Sequence, residues 1–575
     1  MSFRWIYATP ENEETTPVLS QELNIPENIA YLLSLRGVDT YSKAKGFFRP
    51  GIDGLHDPFL MKDMDVATER LCKAIRDHET VVVYGDYDVD GTTATSIVYT
   101  FLKSFGITVE YYIPHRFKEG YGINPDGIQH AIDIGADLIV SVDCGITAIK
   151  ETEHAREHGI DLIICDHHNV GPEIPDAVAV LDPKRPDCGY PFDGLSGAGV
   201  GFKLIQGTIK ALGLSNTLAY KYLDLVAVSI ASDIVPIVDE NRILMREGLS
   251  MINSNPRVGL KALLQLIKMK PGNITTSNIV FSIGPRINAA GRMGDATMAV
   301  ELMIATDETE ASRFARDLES TNKRRRNTDS RTMEEAVEQL ENDFNVEELS
   351  SMVLHDPDWH LGVIGIVASR LVDAYYRPAI MLSTVEGKIK GSARSIKGFN
   401  IYDALKNCED LLEQFGGHEF AAGLTMDASN LTEFRERIDE IAFRYLKEND
   451  FSPEITIDNK LNLADINGKF WKLLSLFEPF GPGNLRPTFV SEDVCIEGVP
   501  TIVGNGHLKM KVRQGDSGVF DAIGFNMHEY MPKLIDCDEN KIDVAYVLEE
   551  NFWNGRRTIQ MRLKDIHIGE RELVE

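Results

Sequence analysis

Cysteine is scarce in this chain, with seven among 575 residues, irregularly spaced and without a CxxC pair. This argues against a disulfide framework and against a zinc site. No run of about 18 apolar residues occurs, which argues against a transmembrane helix. The start, MSFRWIYATPENEE, lacks the charged and apolar regions of a signal peptide. We therefore expect a cytoplasmic protein with reduced thiols and no membrane partner.

Positively charged residues are also scarce, because the chain has 59 Lys and Arg but 88 Asp and Glu, which gives a net charge of −29. Such a surface is unsuited to bulk nucleic-acid binding. A nucleic-acid enzyme with this charge must concentrate its basic groups in one groove and neutralise its acidic groups, for example with metal. The GxxxxGK[ST] pattern is absent, and SGAGVG at 196–201 has the wrong spacing for a dinucleotide site. We expect no nucleotide cofactor.

The chain is too long for one core and predicts several domains. Strands and helices alternate from residue 81 to about 240, which indicates an α/β domain with a parallel sheet. Residues 296–345 lack Gly and Pro and predict one or two long helices, and short alternating strands from 485 predict a small β-barrel. We divide the chain into a mixed helical region, an α/β domain, a connecting helix, a smaller α/β domain, and a linker with the barrel, at 1–75, 76–295, 296–346, 347–450 and 451–575.

Acidic and imidazole side chains follow four apolar runs of the first α/β region. The run LDLVAVSIAS before the last of them is compatible with helix or strand. In an open parallel sheet, ligands collect at the carboxyl ends of the strands, so we expect the four clusters to converge. Their members are Asp86, Asp88 and Asp90; Asp143; Asp166, His167 and His168; and Asp233.

Carboxylates that lie this close cannot all stay ionised without a cation. Oxygen ligands with some imidazole suit magnesium or manganese. Two such cations would form a clamp for displacement at phosphorus. The sequence therefore predicts two divalent cations at the acidic cluster. Each motif alone is more often a turn, a cap or a surface feature, and the prediction depends on their combination.

Four motifs in order, DYDVDG, SVDCG, DHH and ASDIVP, resemble those of the DHH phosphoesterase superfamily. The later GPRINAAGRM, GSARS and GGHEFAAG are similar to one branch, the RecJ single-strand-specific exonucleases. The resemblance implies a DHH domain, a long connecting helix, a DHH-associated domain and an OB-fold barrel. It also implies 5′→3′ hydrolysis of single-stranded DNA to mononucleotides in recombination and repair. The implied partners are single-stranded DNA, a single-strand-binding protein and a helicase.

The same resemblance implies roles for the acidic cluster. Six side chains become metal ligands, and Asp143 is both the bridging ligand and a catalytic residue. His168 becomes a catalytic acid or a hydrogen-bond donor to phosphate. Related phosphoesterases often have a histidine where Tyr84 stands, so Asp86 is the expected substitute. The six ligands are Asp86, Asp88, Asp90, Asp143, His167 and Asp233.

Basic and polar residues outside the cluster complete the expected site. Arg286, Asn288 and Arg292 lie in GPRINAAGRM, which is too rich in glycine to predict a regular element, and the resemblance makes Arg286 a catalytic phosphate contact. By the same resemblance, Arg116, Ser392 and Arg394 would hold the 5′-terminal phosphate. Gly416, Gly417 and His418 predict a turn whose amides bind phosphate, with a plain tight turn as the alternative.

Two further sets of basic residues each allow two interpretations. The block TNKRRRN at 321–327 is either a solvated helical face or a DNA-facing surface. The barrel lysines and arginines, with Phe525 and Trp553, either bind single strands or belong to a barrel that only braces the other domains.

Two other functions remain open. One is a phosphodiesterase of short oligonucleotides or cyclic dinucleotides, against which the C-terminal barrel counts. The other is a non-catalytic single-strand-binding relative, against which the intact acidic set counts.

Overall fold

The computed structural model describes residues 3–346, 348–447, 451–535, 541–553 and 556–568, without the side chains of residues 552–556. The chain forms two compact units. The first comprises Met1–Gly54, Pro236–Val238 and Pro453–Glu575, and the second Leu55–Val235 and Asp239–Ser452. Among the helices of the described ranges, none combines the length and apolar character that a membrane crossing requires.

The N-terminal segment contributes one strand and three helices to the first unit: β1 (Arg4–Tyr7), α1 (Thr15–Leu23), α2 (Glu27–Ser34) and α3 (Tyr41–Phe48). The strand pairs in parallel with residues 454–457, so the N-terminal segment shares a small sheet with the start of the C-terminal part of the unit. Leu19, Ile29 and Leu33 are fully buried in a core that also contains side chains of the C-terminal barrel.

A five-stranded parallel sheet opens the second unit and confirms the predicted α/β class. Its strand order is β3-β2-β4-β5-β6. The strand VVVY is buried throughout, as expected for β-branched residues covered by helices on both faces. The elements are α4 (Met64–Asp77), β2 (Val81–Tyr84), α5 (Val89–Lys103), β3 (Val109–Tyr112), α6 (Pro125–Asp133), β4 (Leu138–Val142), α7 (Ile149–Glu157), β5 (Asp161–Cys165) and β6 (Ala179–Leu181).

Helices continue the second unit, and the run LDLVAVSIAS is the helix α10. The segment GPRINAAGRM forms α14, so the prediction of an irregular segment was wrong. Its glycine Gly291 permits close packing, because a Cβ there would lie 2.4 Å from the carbonyl oxygen of Tyr87. The helices are α8 (Gly197–Ala211), α9 (Thr217–Tyr220), α10 (Leu223–Ser232), α11 (Asp239–Ser254), α12 (Val258–Leu266), α13 (Thr276–Asn278), a π-helical turn (Ile279–Ile283), α14 (Gly284–Met293) and α15 (Thr297–Ile304).

The helix α16 (Glu308–Asp343) leads from this part of the unit to the second α/β part, as the sequence predicted. Asp307 caps it by accepting hydrogen bonds from the amides of Thr309 and Glu310. Its C-terminal half packs through Ala336 and Leu340 against the next sheet.

A mixed five-stranded sheet in the order β10-β11-β9-β8-β7 completes the second unit. Only β7 and β8 are parallel, and the other neighbours are antiparallel. Its elements are β7 (Met352–His355), α17 (Leu361–Tyr375), β8 (Ala379–Val385), β9 (Lys388–Arg394), α18 (Ile401–Lys406), β10 (Leu412–His418), β11 (Ala421–Asp427) and α19 (Leu431–Tyr445).

The C-terminal part of the first unit is a β-barrel. The sheet order is β13-β14-β18-β19-β17-β16-β15, and β14 also pairs with β16, which closes five of the strands into a ring. The elements are β12 (Glu454–Ile457), β13 (Asn459–Lys460), α20 (Gly468–Ser475), β14 (Thr488–Ile496), β15 (Thr501–Val503), β16 (His507–Arg513), β17 (Phe520–Gly524), α21 (Met531–Ile535), β18 (Lys541–Trp553) and β19 (Arg556–Ile568).

Candidate active site

The acidic motifs meet at the carboxyl edge of the parallel sheet. One follows β2 and runs into α5, one follows β4, one follows β5, and Asp233 ends α10. They form three groups, and within each group the ligand atoms all lie within 4.8 Å of one another. The groups are Asp86, Asp88 and Asp143; Asp90, His167 and Asp233; and Asp143, His167 and His168.

Asp143 and His167 each belong to two of these groups, so the groups overlap. The Nε2 atom of His167 lies 3.1 Å from Oδ1 of Asp143, 3.6 Å from Oδ2 of Asp233 and 3.7 Å from Oδ2 of Asp90. Asp143 adopts a left-handed backbone conformation with φ 62°. A non-glycine residue in that region is unfavourable, and such residues concentrate at functional sites. The overlap suits two cations with a shared carboxylate.

Several polar atoms of the cluster are buried and, within the described residues, have no partner in hydrogen-bonding geometry, although Nε2 of His167 and Oδ1 of Asp143 lie close together. They are Oδ1 of Asp86, Oδ1 of Asp143, and both ring nitrogens of His167. Leaving such groups unsatisfied is costly. Burial, followed by the neighbouring carboxylates, raises the pKa of Asp86 and Asp143 well above the usual value, and the pKa of Asp233 to about 8. Divalent cations would remove both penalties, so the donor set fits them.

Asp90 is held differently, by the N-terminus of α8. Its carboxylate accepts hydrogen bonds from the amides of Gly197 (2.7 Å) and Ala198 (2.8 Å) and from the hydroxyl of Ser229 (2.7 Å). A helix N-terminus stabilises a carboxylate through its free amides and its dipole. This is the role of the SGAGVG segment, which sequence reasoning rejected as a dinucleotide site but did not connect with the aspartates.

Gly197 also lies against the shared carboxylate. A Cβ at this position would come within 2.6 Å of both Cβ and Oδ1 of Asp143. Glycine is therefore required for the helix N-terminus and Asp143 to approach each other this closely. No signal in the sequence pairs these two positions, which are far apart in the chain.

His168 forms a pair with Asp166. Its Nδ1 atom lies 2.7 Å from Oδ1 of Asp166, and the hydroxyl of Tyr121 is 3.1 Å from the same nitrogen. Asp166 also accepts the amides of Ile146, His167 and His168. Burial opposes protonation of His168, but the hydrogen bond and charge of Asp166 outweigh it and raise the pKa of His168 to about 9. The contact with Asp166 thus favours the protonated form of His168. Sequence reasoning named neither Asp166 as its orienting residue nor Tyr121.

Tyr84 occupies the position where related phosphoesterases often have histidine. Its side chain is fully buried, and its hydroxyl donates to the carbonyl oxygen of Gly122 at 3.1 Å. Asp86, in contrast, shares a donor group with Asp88 and Asp143. The placement is compatible with the expected substitution of Asp86 for histidine.

A cleft of about 610 Å³ lies between the two α/β parts of the second unit. Among the predicted phosphate ligands, Arg116, Arg292, Ser392 and Arg394 line it. Burial, and then the charges of Arg116, Arg325 and Arg394, lower the pKa of Arg292 to about 10. Cations that repel one another in this way favour an anionic ligand, and guanidinium groups match phosphate.

Arg286 and Asn288 make protein contacts. Nε of Arg286 donates to Oε2 of Glu319 at 2.5 Å and Nη1 donates to the carbonyl of Ser282 at 2.6 Å. Oδ1 of Asn288 accepts a hydrogen bond from the amide of Val89 at 3.1 Å. Val89 lies between Asp88 and Asp90 in the sequence. Asn288 therefore anchors α14 to the start of α5.

The segment Gly416–His418 is not the predicted turn. These residues end β10 and pair with β11, with His418 opposite Ala421. β10 is the edge strand of its sheet and pairs with β11 on one side only, so these residues form an extended edge and not a turn. Gly416 and Gly417 line the cleft through their small size, whereas the exposed His418 is not among its lining residues.

Three family models match the chain: the DHH family N-terminal domain at residues 80–230, the DHHA1 domain at 345–442 and the RecJ OB domain at 457–565. The single-stranded-DNA-specific exonuclease RecJ of Bacillus subtilis is 38% identical, covering 100% of this chain and 72% of its own. RecJ of Thermus thermophilus in complex with Mn²⁺ superposes with a TM-score of 0.84 at 29% identity, over 99% of this chain and 80% of that chain. Its Mg²⁺ complex gives a TM-score of 0.78 at 28% identity, over 99% and 79%.

The fold and the site thus define a metal-dependent phosphoesterase of the DHH class. Within that class, the chain belongs to the family of single-stranded-DNA-specific exonucleases called RecJ. The predicted fold, with its DHH domain, DHH-associated domain and OB barrel, is confirmed.

Proposed function

We propose that this protein hydrolyses single-stranded DNA from the 5′ end and releases 5′-mononucleotides, using two manganese or magnesium ions. The observation that carries the proposal is the set of three donor groups that overlap at Asp143 and at His167, together with a cleft lined by arginines. Because the relatives are named for single-stranded DNA, that polymer is the proposed substrate. The biological setting is DNA recombination and repair.

Six side chains are the proposed metal ligands. One group consists of Asp86, Asp88 and Asp143, and the other adds Asp90, His167 and Asp233. When bound, two divalent cations would supply Lewis-acid chemistry, which lowers the pKa of water and neutralises charge on the leaving oxygen. The protein's own contribution is to hold these carboxylates rigidly, and the amides that bind Asp90 do so.

His168 is the proposed proton donor. Asp166 fixes the ring through Nδ1 and favours its protonated form, so that Nε2 can hold a proton toward a phosphate oxygen or donate it to the departing 3′-oxygen, which becomes a hydroxyl. Arg286 is the proposed partner on the scissile phosphate. That role requires Arg286 to exchange its contact with Glu319 for the substrate.

The cleft is the proposed pocket for the terminal phosphate. Arg116, Ser392 and Arg394 would hold the phosphate, with Arg292 and the small residues Gly416 and Gly417 around it. Nη1 of Arg394 donates to Oγ of Ser392 at 3.0 Å, which orients the guanidinium. A pocket that ends at a phosphate sets the 5′ polarity. Because the ligands are sunk beside this cleft, a single strand reaches them more easily than a duplex.

The barrel offers a proposed surface for the incoming strand. Along β16, Leu508, Met510 and Val512 are buried, whereas Lys509 and Lys511 on the other face are exposed. Phe525, which follows β17, is half exposed. Lysines beside an exposed aromatic ring suit single-strand binding. The Trp553 side chain, expected to assist, lies outside the described residues.

The cellular context is also a proposal. By family resemblance, we propose a cytoplasmic enzyme that works with a single-strand-binding protein and a helicase. His418 and Asn288 stay proposed as phosphate ligands. The domain bounds given above are proposed as the functional division of the chain.

The proposal is tested by digesting long single-stranded DNA labelled at either end, with manganese and with a chelator. We expect mononucleotides from the 5′-labelled end at early times, no reaction with chelator, and no activity in Asp143→Ala with an unchanged circular-dichroism spectrum. A protein that cleaves only dinucleotides, or that binds DNA without cutting it, would refute the proposal. Substantial activity in Asp143→Ala would remove Asp143 from the shared position.

A further inference from the structure

The carboxyl edge of the parallel sheet carries charged groups in a defined order. Arg116 follows the edge strand β3, the acidic motifs follow the three inner strands, and Lys184 follows the other edge strand, β6. Neighbouring strands are about 4.8 Å apart, so the four intervals from β3 to β6 span roughly 19 Å. A row of this length accommodates more than one nucleotide, with cations at both ends and the metal ligands between them.

The loop that carries Lys184 is tied firmly to the sheet. Asp182 directly follows β6, beside Asp166, whose amide donates to the carbonyl oxygen of Leu181 at 3.0 Å. Oδ1 of Asp182 accepts the amide of Lys184 at 2.8 Å. The buried Arg185 donates to the carbonyl oxygen of Val180 at 2.7 Å, which closes the loop. Lys184 therefore projects from a fixed backbone.

Lys184 itself is exposed. Within the described ranges, no carboxylate lies within ion-pair distance of its ammonium group, although the chain carries a net charge of −29. The lysine thus lies at the β6 end of the row, on the same edge of the sheet as the metal ligands.

We infer that Lys184 binds the phosphate on the 3′ side of the scissile bond, on the strand that stays bound after cleavage. This inference rests on the proposed function. If the terminal phosphate lies near Arg116 and the scissile phosphate at the aspartates, the remaining strand continues along the row toward β6. There an exposed ammonium group, with no carboxylate partner among the described residues, is the ligand that a backbone phosphate requires.

The inference is tested by measuring KM and kcat of Lys184→Ala on a 5′-phosphorylated dinucleotide and on a long oligothymidylate. A dinucleotide has no phosphate beyond the scissile one. We expect KM on the long substrate to rise about fivefold, which corresponds to the loss of an exposed charge pair. KM on the dinucleotide should not change. Lys184→Arg should restore the affinity. Lys103→Ala is the matched control, because Lys103 is an exposed lysine at the far end of α5.

A second measurement follows DNA binding against salt concentration. Loss of one phosphate contact should lower the slope of log affinity against log salt by about 0.7 for a single strand. An equal change in KM on the dinucleotide, an unchanged slope, or a defect that high manganese cures would overturn the inference. The last result would make Lys184 a neutraliser of the acidic cluster. If wild-type protein does not shorten single-stranded DNA, the proposed function itself fails, which is a different outcome.

Discussion

Arg394 illustrates at the residue scale how the protein prepares for an anion. Its guanidinium is fixed by Oγ of Ser392 and by the carbonyl oxygen of Ala393. Burial, followed by the charge of Arg116, lowers the pKa of Arg394. Two guanidinium groups are thus held near each other at a cost that a bound phosphate would offset.

We therefore expect Arg394→Ala to weaken the preference for a 5′-phosphate. KM on 5′-phosphorylated DNA should rise tenfold or more, because a charge-assisted hydrogen bond contributes about 1.5–3 kcal/mol. KM on 5′-hydroxyl DNA should change little. Steady-state kinetics on both ends, with Arg444→Ala as an exposed-arginine control, measures the difference. An equal loss on both ends would place Arg394 elsewhere in the reaction.

The sequence was most informative about residues that follow strands. Asp86, Asp143 and His167 were predicted to converge because strand ends share an edge, and the structure brings them together. Tyr121 and the amide of Gly197 gave no such signal, since their roles arise from a loop and a helix start in three dimensions. The contact of Arg286 with Glu319 likewise depends on the path of α16, which periodicity does not specify.

At the scale of elements, the start of α8 serves two aspartates at once. Its amides bind Asp90, and the missing side chain of Gly197 leaves room for Asp143. Two predictions made from glycine elsewhere in the chain were wrong. GPRINAAGRM forms a helix because its glycine allows tight packing on the loop after β2, and Gly416 and Gly417 belong to a strand. Glycine marks a close approach as readily as a break, and the sequence does not distinguish them.

We expect Gly197→Ala to lower kcat by about a hundredfold, the scale of a displacement of roughly 1 Å in a catalytic group. The new Cβ would lie 2.6 Å from Asp143 and force that carboxylate to move. Gly199→Ala is the matched control in the same helix, since a Cβ there meets its nearest neighbour at 3.4 Å. Both changes raise helix propensity by up to about 1 kcal/mol, so propensity does not separate them.

Activity assays, with circular dichroism and manganese titration of both variants, provide the comparison. Gly199→Ala should keep its activity. Wild-type activity and metal affinity in Gly197→Ala would show that Asp143 tolerates displacement, and would contradict the close-approach argument.

For the whole molecule, the acidic cluster links stability to pH and to metal. The pKa of Asp233 is raised to about 8, and those of Asp86, Asp88 and Asp143 are also raised, first of all by burial. Their unfolded values lie near 3.9, so the folded protein without metal binds more protons than the unfolded chain above that pH. These groups make their full contribution to the free energy of unfolding below about pH 4, and that contribution is lost as the pH rises through about 8.

We accordingly expect the thermal midpoint of chelator-treated protein to fall between about pH 6 and pH 8, and manganese to raise it more at the higher pH, because ligands bind metal in their deprotonated form. His168, whose pKa is raised to about 9, adds to the fall because its proton is lost on unfolding above its usual pKa of about 6.5. Scanning calorimetry of the full chain at both pH values, with and without manganese, measures the effect. Asp233→Asn should flatten the pH dependence, since its uncharged amide removes one of the titrating groups. If the midpoint of chelated protein rose with pH, or manganese acted equally at both, the carboxylates would already be neutralised by the protein itself, and the need for two cations would disappear.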